Sequence, residues 1–441
     1  MLTRDARRLP EGAVDAGPDR RRDRHRHLIR GSAWLTLALG INALGGFFFW
    51  LGAARITDAG TVGRATALFT GLLFVNYLTS LGLPIALARY APDRSTGSGG
   101  AFSLAATLSV ASSIGGTLLL LVVAPGFLTG ALGSHGRWLG ALVLATSAAG
   151  MALALLVEVR LVAIRRGEWV LARAGAVAVG RLPLLAVGAV RDDPFWLFVA
   201  ACAPIALSGF VGAAALVRAH GAGLRAALTT HRRGTAAHYA AVNWLGLLAA
   251  QGPQFALPII VAANVEPSEN AAFYVAWSIT LIAFLLPQTL GQVLLVEGGR
   301  DGDLVSQVRL TLAIGFVVMA GLAALSVFGR SAVTAVYGDT YAAAANILPL
   351  LLVAGLPWAV TSSLLARVRV EQRAVATMAI TATFAAGVLV PALVLTARGG
   401  VDGAARAWLI GNVLAVAMAA AVVHRGTPLG RPLVTGTGGR R

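Results

Sequence analysis

Long apolar runs separated by short polar segments constrain the fold of this chain more than any other feature. An apolar run of about 18 residues or more can cross the hydrocarbon of a bilayer as one α-helix. Inside lipid, such a helix satisfies all of its own backbone hydrogen bonds. The predicted spans are residues 32–54, 65–88, 101–124, 138–163, 168–190, 195–217, 239–263, 271–296, 308–328, 342–365, 374–396 and 403–424.

The composition fits a lipid environment. Hydrophobic residues make up 57% of the chain and charged residues only 12%, whereas about 25% of the residues in a soluble domain are charged. The 52 glycines suit membrane helices, because small residues let neighbouring backbones pack closely. We therefore predict an all-α integral membrane protein with about twelve transmembrane helices.

The arginines predict the orientation of these helices. The net charge is +17, and all 36 basic residues are arginine. A basic chain often binds nucleic acid, but most of these arginines lie in the two tails and in every second loop between spans. Short arginine-rich segments stay in the cytoplasm. The pattern predicts that both termini lie in the cytoplasm and that the chain has no nucleic-acid partner.

The longest internal loop separates six predicted spans from another six. Because six is even, both halves enter the membrane in the same direction, which predicts a parallel pseudo-two-fold axis along the membrane normal. The predicted organisation is a disordered basic cytoplasmic tail (1–31), an N-terminal six-helix bundle (32–217), a basic cytoplasmic linker (218–238), a C-terminal six-helix bundle (239–424) and a cytoplasmic tail (425–441).

Local matches between the two halves favour an internal duplication. Spans rich in alanine and glycine can align by chance, but three matches at nearly one offset favour a repeat over coincidence. The matched pairs are Trp34 with Trp244, residues 57–65 with 266–274, and residues 160–166 with 367–373.

Several short segments resemble one family of membrane proteins. They are GSAWL at 31–35, FFFWLGAAR at 47–55, VGRA at 62–65, LGLP at 81–84 with ARY at 88–90, YGDTYAAA at 337–344, and GAARAW at 403–408. In this order and spacing they resemble bacterial polysaccharide flippases of the multidrug/oligosaccharidyl-lipid/polysaccharide exporter (MOP) superfamily.

The resemblance implies two six-helix bundles that face a central cavity, in the bacterial cytoplasmic (inner) membrane. It also implies that the protein flips or exports a polyprenyl-diphosphate-linked oligosaccharide by alternating access, for cell-surface polysaccharide synthesis. Its partners would be this lipid-linked glycan, the bilayer, and the glycosyltransferases and glycan polymerase of the same process. The alternative is a multidrug/cation antiporter of the same superfamily.

Ionisable side chains at membrane depth are costly and therefore functional candidates. Arg181 lies deep in the fifth span, just before Leu182-Pro183. It could bind a diphosphate in the cavity or form a structural ion pair with a carboxylate of the fourth span. Arg173 could line the same side or extend to the cytoplasmic surface. Glu158 could carry a coupling proton or Na⁺, or pair locally with Arg160 or Arg173.

Amide side chains give a second set of candidates for substrate binding. Asn243, Gln251 and Gln254 fall on one stripe of the seventh span at 100° per residue, and Asn42 lies in the first span. Polar stripes in corresponding spans of the two halves predict a binding site between the repeats. The alternative is hydrogen bonding between packed helices.

Other functional classes lack their motifs. There is no lysine and no phosphate-binding Gly-x-x-x-x-Gly-Lys-Ser/Thr motif, which argues against ATP hydrolysis. No His, Cys and carboxylate cluster has metal-ligand spacing, and the single cysteine, Cys202, cannot form an internal disulfide. A membrane polymerase or ligase would use a large outer loop, and the predicted outer loops are short. We predict no catalytic residues, no metal, no cofactor and no enzymatic activity.

Overall fold

The computed structural model describes residues 18–90, 98–123, 137–220, 233–297 and 304–425, which are helical and contain no β-strand. Parts of the predicted tails (1–17 and 426–441) and of the predicted linker (221–232) lie outside the described residues. The helices are α1 (Pro18–Ile56), α2 (Ala59–Thr79), α3 (Leu83–Tyr90), α4 (Ser98–Val123), α5 (Arg137–Ala163), α6 (Gly167–Arg191), α7 (Pro194–His220), α8 (Arg233–Ala262), α9 (Pro267–Glu297), α10 (Leu304–Ser326), α11 (Gly329–Tyr337), α12 (Ala342–Val353), α13 (Gly355–Val370) and α14 (Ala374–His424).

Ten of the described helical stretches are long and apolar enough to cross a membrane, or eleven when α2 and α3 count as one span bent by 51°. One of the ten is α14, whose 51 residues would extend about 75 Å, more than twice the thickness of the hydrocarbon. Its backbone is non-helical at Gly399 and Gly400, and beyond that break Gly411 packs against Val388. The two limbs of α14 are therefore antiparallel, and counting them separately gives the predicted twelve spans.

The second span differs from the prediction of one unbroken helix over 65–88. It begins at Ala59 and breaks between α2 and α3, where Leu81 and Gly82 have φ values of 50° and 66°. A Cβ at Gly82 would lie 2.1 Å from the carbonyl oxygen of Ala240. Glycine therefore permits both the left-handed turn and the close approach of α8.

The first helix also differs from the prediction. It begins at Pro18, within the tail that the sequence analysis expected to be disordered. Proline is favoured in the first helical turn because its missing N–H has no partner there. The segment that follows, up to Arg30, contains neither glycine nor proline, so nothing interrupts a helix that continues into the first span.

The internal repeat is confirmed at the turns after α5 and α13. Arg165 and Gln372, 207 residues apart, have φ values of 59° and 55°. The following N–H groups each reach back five residues, from Arg166 to the carbonyl of Leu161 at 2.8 Å and from Arg373 to that of Val368 at 3.1 Å. Both turns are the same left-handed helix cap. Gly63 and Asn270, which belong to the matched segments 57–65 and 266–274, contact each other, so these two segments meet near the pseudo-two-fold axis.

The two halves pack in matching ways. In the first half α1 packs on α6 and α5 on α7, and in the second half α8 and α13 both pack on α14 in the equivalent contacts. Small residues make these contacts close: a Cβ at Gly209 would lie 2.0 Å from the carbonyl oxygen of Gly150. The halves meet mainly where α2 contacts α8 and α9. We call the face with the start of α1 and the end of α14 the terminal face, and the opposite one the far face.

Candidate functional site

A cavity of about 330 Å³ lies between the two halves. It is lined from the first half by α1, α2 and α6, and from the second half by α8, α9, α13 and α14. Both halves therefore supply side chains to one central site, as the predicted parallel repeat requires.

Arg181 supplies the charge of this cavity. It is 7% exposed and lies on α6 two residues before Pro183. Its Nε donates a 3.1 Å hydrogen bond to the carbonyl of Ala201 on α7, and its guanidinium lies 5.9 Å from the ring centroid of Phe49. Among the described residues, no carboxylate pairs with it. Since arginine has five N–H donors, most of them remain available to a ligand.

Arg173 and Glu158 lie outside the central cavity. They form an ion pair with each other, and Arg173 Nη1 also donates a 3.4 Å hydrogen bond to Ser208 Oγ. The local pair considered for Glu158 is thus present. Because Glu158 is the carboxylate of the fourth span, its bond to Arg173 also leaves it unavailable as the ion-pair partner of Arg181.

The predicted amides are distributed over three neighbouring cavities. Asn42 and Gln254 line the central cavity with Arg181. Gln251 lines a middle cavity of about 220 Å³ nearer the terminal face. Asn243 lines a third cavity of about 460 Å³ nearer still, and its Nδ2 donates a 2.8 Å hydrogen bond to Tyr239 of its own helix. The stripe on α8 therefore follows a path of cavities rather than lining a single site.

An aromatic wall lines the second half of the cavity and was not predicted from the sequence. Phe284 and Trp358 stack with ring centroids 5.9 Å apart, and Phe384 meets Trp408 edge to face at 5.5 Å. The indole nitrogens of Trp358 and Trp408 are buried and have no hydrogen-bond partner among the described residues. The wall therefore lines the cavity with aromatic rings and holds two unsatisfied N–H donors beneath that surface.

A periodic signal could have located part of this surface. The side chains that α9 contributes recur every three or four residues, as they must on one face of a helix. They include Tyr274, Ser278, Leu281, Leu285 and Gln288. Within an apolar span, however, such a stripe resembles ordinary helix packing.

Contacts between the halves close the cavity towards both faces of the membrane. Towards the far face, Asn270 Nδ2 donates a 2.8 Å hydrogen bond to the carbonyl of Gly63. Towards the terminal face, Trp244 Nε1 donates a 3.0 Å hydrogen bond to the carbonyl of Leu78, and Tyr77 donates to Leu247 of α8.

The cavity is less enclosed on one lateral side. The pseudo-two-fold axis relates the α2–α8 contact to a contact between α9 and α1. The first pair packs extensively, whereas α1 packs mainly on α6 and meets α9 only slightly. Ile282 and Leu285 of α9 line the cavity and are each 38% exposed. The side between α1 and α9 is therefore the less tightly packed one, and we call it the gap between α1 and α9.

No protein-family model and no curated protein sequence matches the chain. Solved structures do. The lipid II flippase MurJ in an inward closed conformation has a TM-score of 0.70 at 13% identity, covering 88% of this chain and 87% of that one. An inward-facing multidrug resistance MATE family transporter of the MOP superfamily has a TM-score of 0.61 at 16% identity, with coverages of 90% and 98%. The eukaryotic MATE transporter AtDTX14 has a TM-score of 0.56 at 12% identity, with coverages of 91% and 97%. This chain has the two-lobed helical fold of these transporters.

Proposed function

We propose that this protein flips a polyprenyl-diphosphate-linked oligosaccharide across the bacterial cytoplasmic membrane by alternating access, for cell-surface polysaccharide synthesis. The observation that carries the proposal is Arg181, a buried cation without a carboxylate partner among the described residues, in a cavity lined by both halves. The first solved structure compared, a lipid II flippase, supports a lipid-linked substrate.

A buried charge without a counter-charge is unfavourable unless something compensates it. An anionic ligand would supply the compensation. A guanidinium binds phosphate oxygens through parallel hydrogen bonds, and Nε of Arg181 is held by the backbone of α7. The terminal nitrogens can therefore bind a diphosphate while the arginine keeps its position.

The remaining parts of such a substrate fit the other surfaces. Trp358 and Trp408 line the cavity and give it aromatic surface for the C–H faces of a sugar. Their buried N–H groups would reach the sugar hydroxyl groups once the cavity widens to admit the substrate. A polyprenyl chain is too long for a cavity of about 330 Å³. It would remain in the bilayer and pass through the gap between α1 and α9.

A cation antiporter is the second candidate, because MATE transporters share the fold. The central cavity has no Asp or Glu among its described lining residues. A cationic drug there would face Arg181, and two like charges about 4 Å apart repel by about 4 kcal/mol at an effective dielectric constant of 20. The charge of the cavity therefore favours an anionic substrate.

The terminal face is the cytoplasmic face in this proposal. The turns after α5 and α13 lie on that face with Arg165, Arg166 and Arg373, and the last turn of α13 adds Arg367 and Arg369. Arginine-rich short loops are retained in the cytoplasm, so the substrate would be loaded from this face and released at the far face.

Reconstituted vesicles containing a fluorescent lipid-linked oligosaccharide would test the proposal, using Arg181→Gln and the matched control Arg191→Gln. Arg191 ends the same helix, but it is exposed. We expect Arg181→Gln to lower the flipping rate at least about tenfold, because it removes at least one charge-assisted hydrogen bond to the substrate. The control Arg191→Gln should flip at the wild-type rate. Equal rates for all three proteins would remove Arg181 from the mechanism. Proton-driven dye efflux without glycan flipping would favour the antiporter.

A further inference from the structure

The cavity of about 460 Å³ nearest the terminal face has no role in the proposal above. It lies between the two halves, with Ile85 of α3 on one side and the end of α13 and start of α14 on the other. Its described lining contains Asn243, Arg369, Gln372, Arg373 and Thr377, but no Asp or Glu. Its surface therefore combines positive charge with uncharged hydrogen-bonding groups.

Arg369 is the available cation of this cavity. Its neighbours Arg367 and Arg373 both bond to Glu371, at 2.8 and 3.4 Å, and Arg373 also donates to the carbonyl of Val422 at 3.1 Å. The guanidinium of Arg369 has no hydrogen bond or ion pair among the described residues and lines both this cavity and the middle one. One carboxylate is thus shared by two arginines, and the third remains free.

The start of α14 adds positive potential to the same cavity. Ala374 and Thr377 of its first turn line the wall, and the residue before the helix, Arg373, makes no side-chain capping bond. The N–H groups of Ala374 and Thr377 already donate to the carbonyls of Gln372 and Arg373, at 3.1 and 3.0 Å, so the helix start acts through its partial positive charge, which attracts anions.

We propose that this cavity is a phosphate-binding site for lipids, in which Arg369 and the start of α14 bind the phosphate or diphosphate of a headgroup. The ligand chemistry is shared by an anionic phospholipid and by a polyprenyl diphosphate. If the flipping function proposed above holds, on which this further role rests, the site is where the substrate first binds before it reaches Arg181.

A row of adjoining cavities lies between the two cations. The middle cavity shares Arg369 and Thr381 with the terminal-face cavity, and Gln288 and Trp358 with the central one. Trp358 and Arg369 are eleven residues apart on α13, which is about 16 Å along a helix. Thr361, between them, is 2% exposed and its Oγ1 has no partner among the described residues. A buried hydroxyl group without a hydrogen-bond partner among the described residues therefore lies between the two cationic sites.

Binding measurements in nanodiscs test the site itself. The probes are farnesyl diphosphate added to phosphatidylcholine nanodiscs, and phosphatidylglycerol mixed into the nanodiscs and counted by native mass spectrometry. The variants are Arg369→Gln and the matched control Arg367→Gln, which removes an arginine two residues away that is bound to Glu371.

We expect Arg369→Gln to weaken binding at least about tenfold for one probe or both, with Arg367→Gln at the wild-type value. A loss confined to farnesyl diphosphate assigns the site to polyprenyl diphosphates. A loss confined to phosphatidylglycerol assigns it to phospholipid headgroups. Unchanged binding of both probes by Arg369→Gln overturns the proposal.

The flipping assay separates this proposal from the previous one. If wild type flips a lipid-linked oligosaccharide, Arg369→Gln should raise the substrate concentration needed for half-maximal rate and leave the maximal rate near that of wild type. If wild type flips no glycan, the proposed function fails, while the nanodisc result still decides whether the phosphate site exists. Flipping by wild type and Arg369→Gln at equal rates at every substrate concentration rejects the loading role.

Discussion

Gly63, where α2 and α9 approach most closely, offers a direct test of how the cavity opens to the far face. A Cβ at this position would lie 1.6 Å from the carbonyl oxygen of Pro267, whereas ordinary contacts begin at 3.4 Å. Gly63→Ala therefore requires the two helices to separate by about 1.8 Å. The obstruction is backbone rather than a flexible side chain, so rotamer changes cannot relieve it.

The size of the effect follows from the hydrogen bond at the same place. Asn270 Nδ2 and the carbonyl oxygen of Gly63 are 2.8 Å apart, and a separation greater by about 1.8 Å leaves no bond. Both groups are buried, and an unsatisfied buried polar group costs about 1–3 kcal/mol. Only the state that is closed at the far face bears this cost. The equilibrium should therefore shift towards the far-open state by about 5- to 150-fold.

A cysteine placed in the cavity would report this shift. Ser278 lines the cavity, and the only native cysteine, Cys202, is 0% exposed. In vesicles, Ser278→Cys should react with a membrane-impermeant thiol reagent from the far face faster when Gly63→Ala is also present. The matched control is Gly115→Ala, since a Cβ there meets nothing within 4 Å.

A second variant keeps the test independent of folding yield. Asn270→Ala removes the hydrogen-bond donor without pushing the helices apart, so it should increase labelling in the same direction but less. If both variants leave the labelling rate at the control value, the contact between Gly63 and Asn270 does not close the far face. Labelling slower than the control in either variant would also contradict the claim that this contact closes the far face.

Two further perturbations test the break in α14 and the aromatic wall. Gly400 has φ 53° and ψ −136°, a region essentially restricted to glycine, so Gly400→Ala should cost about 1–3 kcal/mol and lower the thermal unfolding midpoint. Gly399→Ala, at φ −128°, should lower the midpoint less. Equal midpoints for the two variants would contradict the strain argument. Trp358→Phe keeps an aromatic ring but removes the indole N–H. It should therefore weaken binding of a lipid-linked oligosaccharide about fivefold and leave farnesyl diphosphate binding unchanged. Equal weakening of the binding of both ligands would assign Trp358 to packing rather than to sugar recognition.

The sequence predicted the parts of the fold that depend on hydrophobic length. It located α10 and the turn between α5 and α6 because apolar runs and arginines mark them directly. It did not predict the break at Leu81 and Gly82, which depends on how closely α8 approaches. The helix from Pro18 was also missed, because a highly charged composition was taken to indicate disorder.

The candidate site was predictable only where a residue was unusual for its surroundings. An arginine deep in an apolar span is rare, so Arg181 stood out. Trp358 and Trp408 did not, since aromatic residues are common in membrane spans and only the fold brings them opposite Arg181. The significance of Arg369 depends on which arginines Glu371 binds, and spacing along the chain does not specify that.

The shared turn geometry at Arg165 and Gln372 has a consequence for the charges. At its offset of 207 residues, the position equivalent to Arg181 is Val388, and the position equivalent to Arg369 is Val162. Each half therefore carries one cation where the other half has valine. The pseudo-two-fold axis lies along the membrane normal and does not exchange the two faces, so strictly symmetrical halves would offer an anion two equivalent routes in the same direction. If the two proposals above hold, this complementary asymmetry leaves a single route, on which an anion that moves from Arg369 to Arg181 crosses from one repeat to the other.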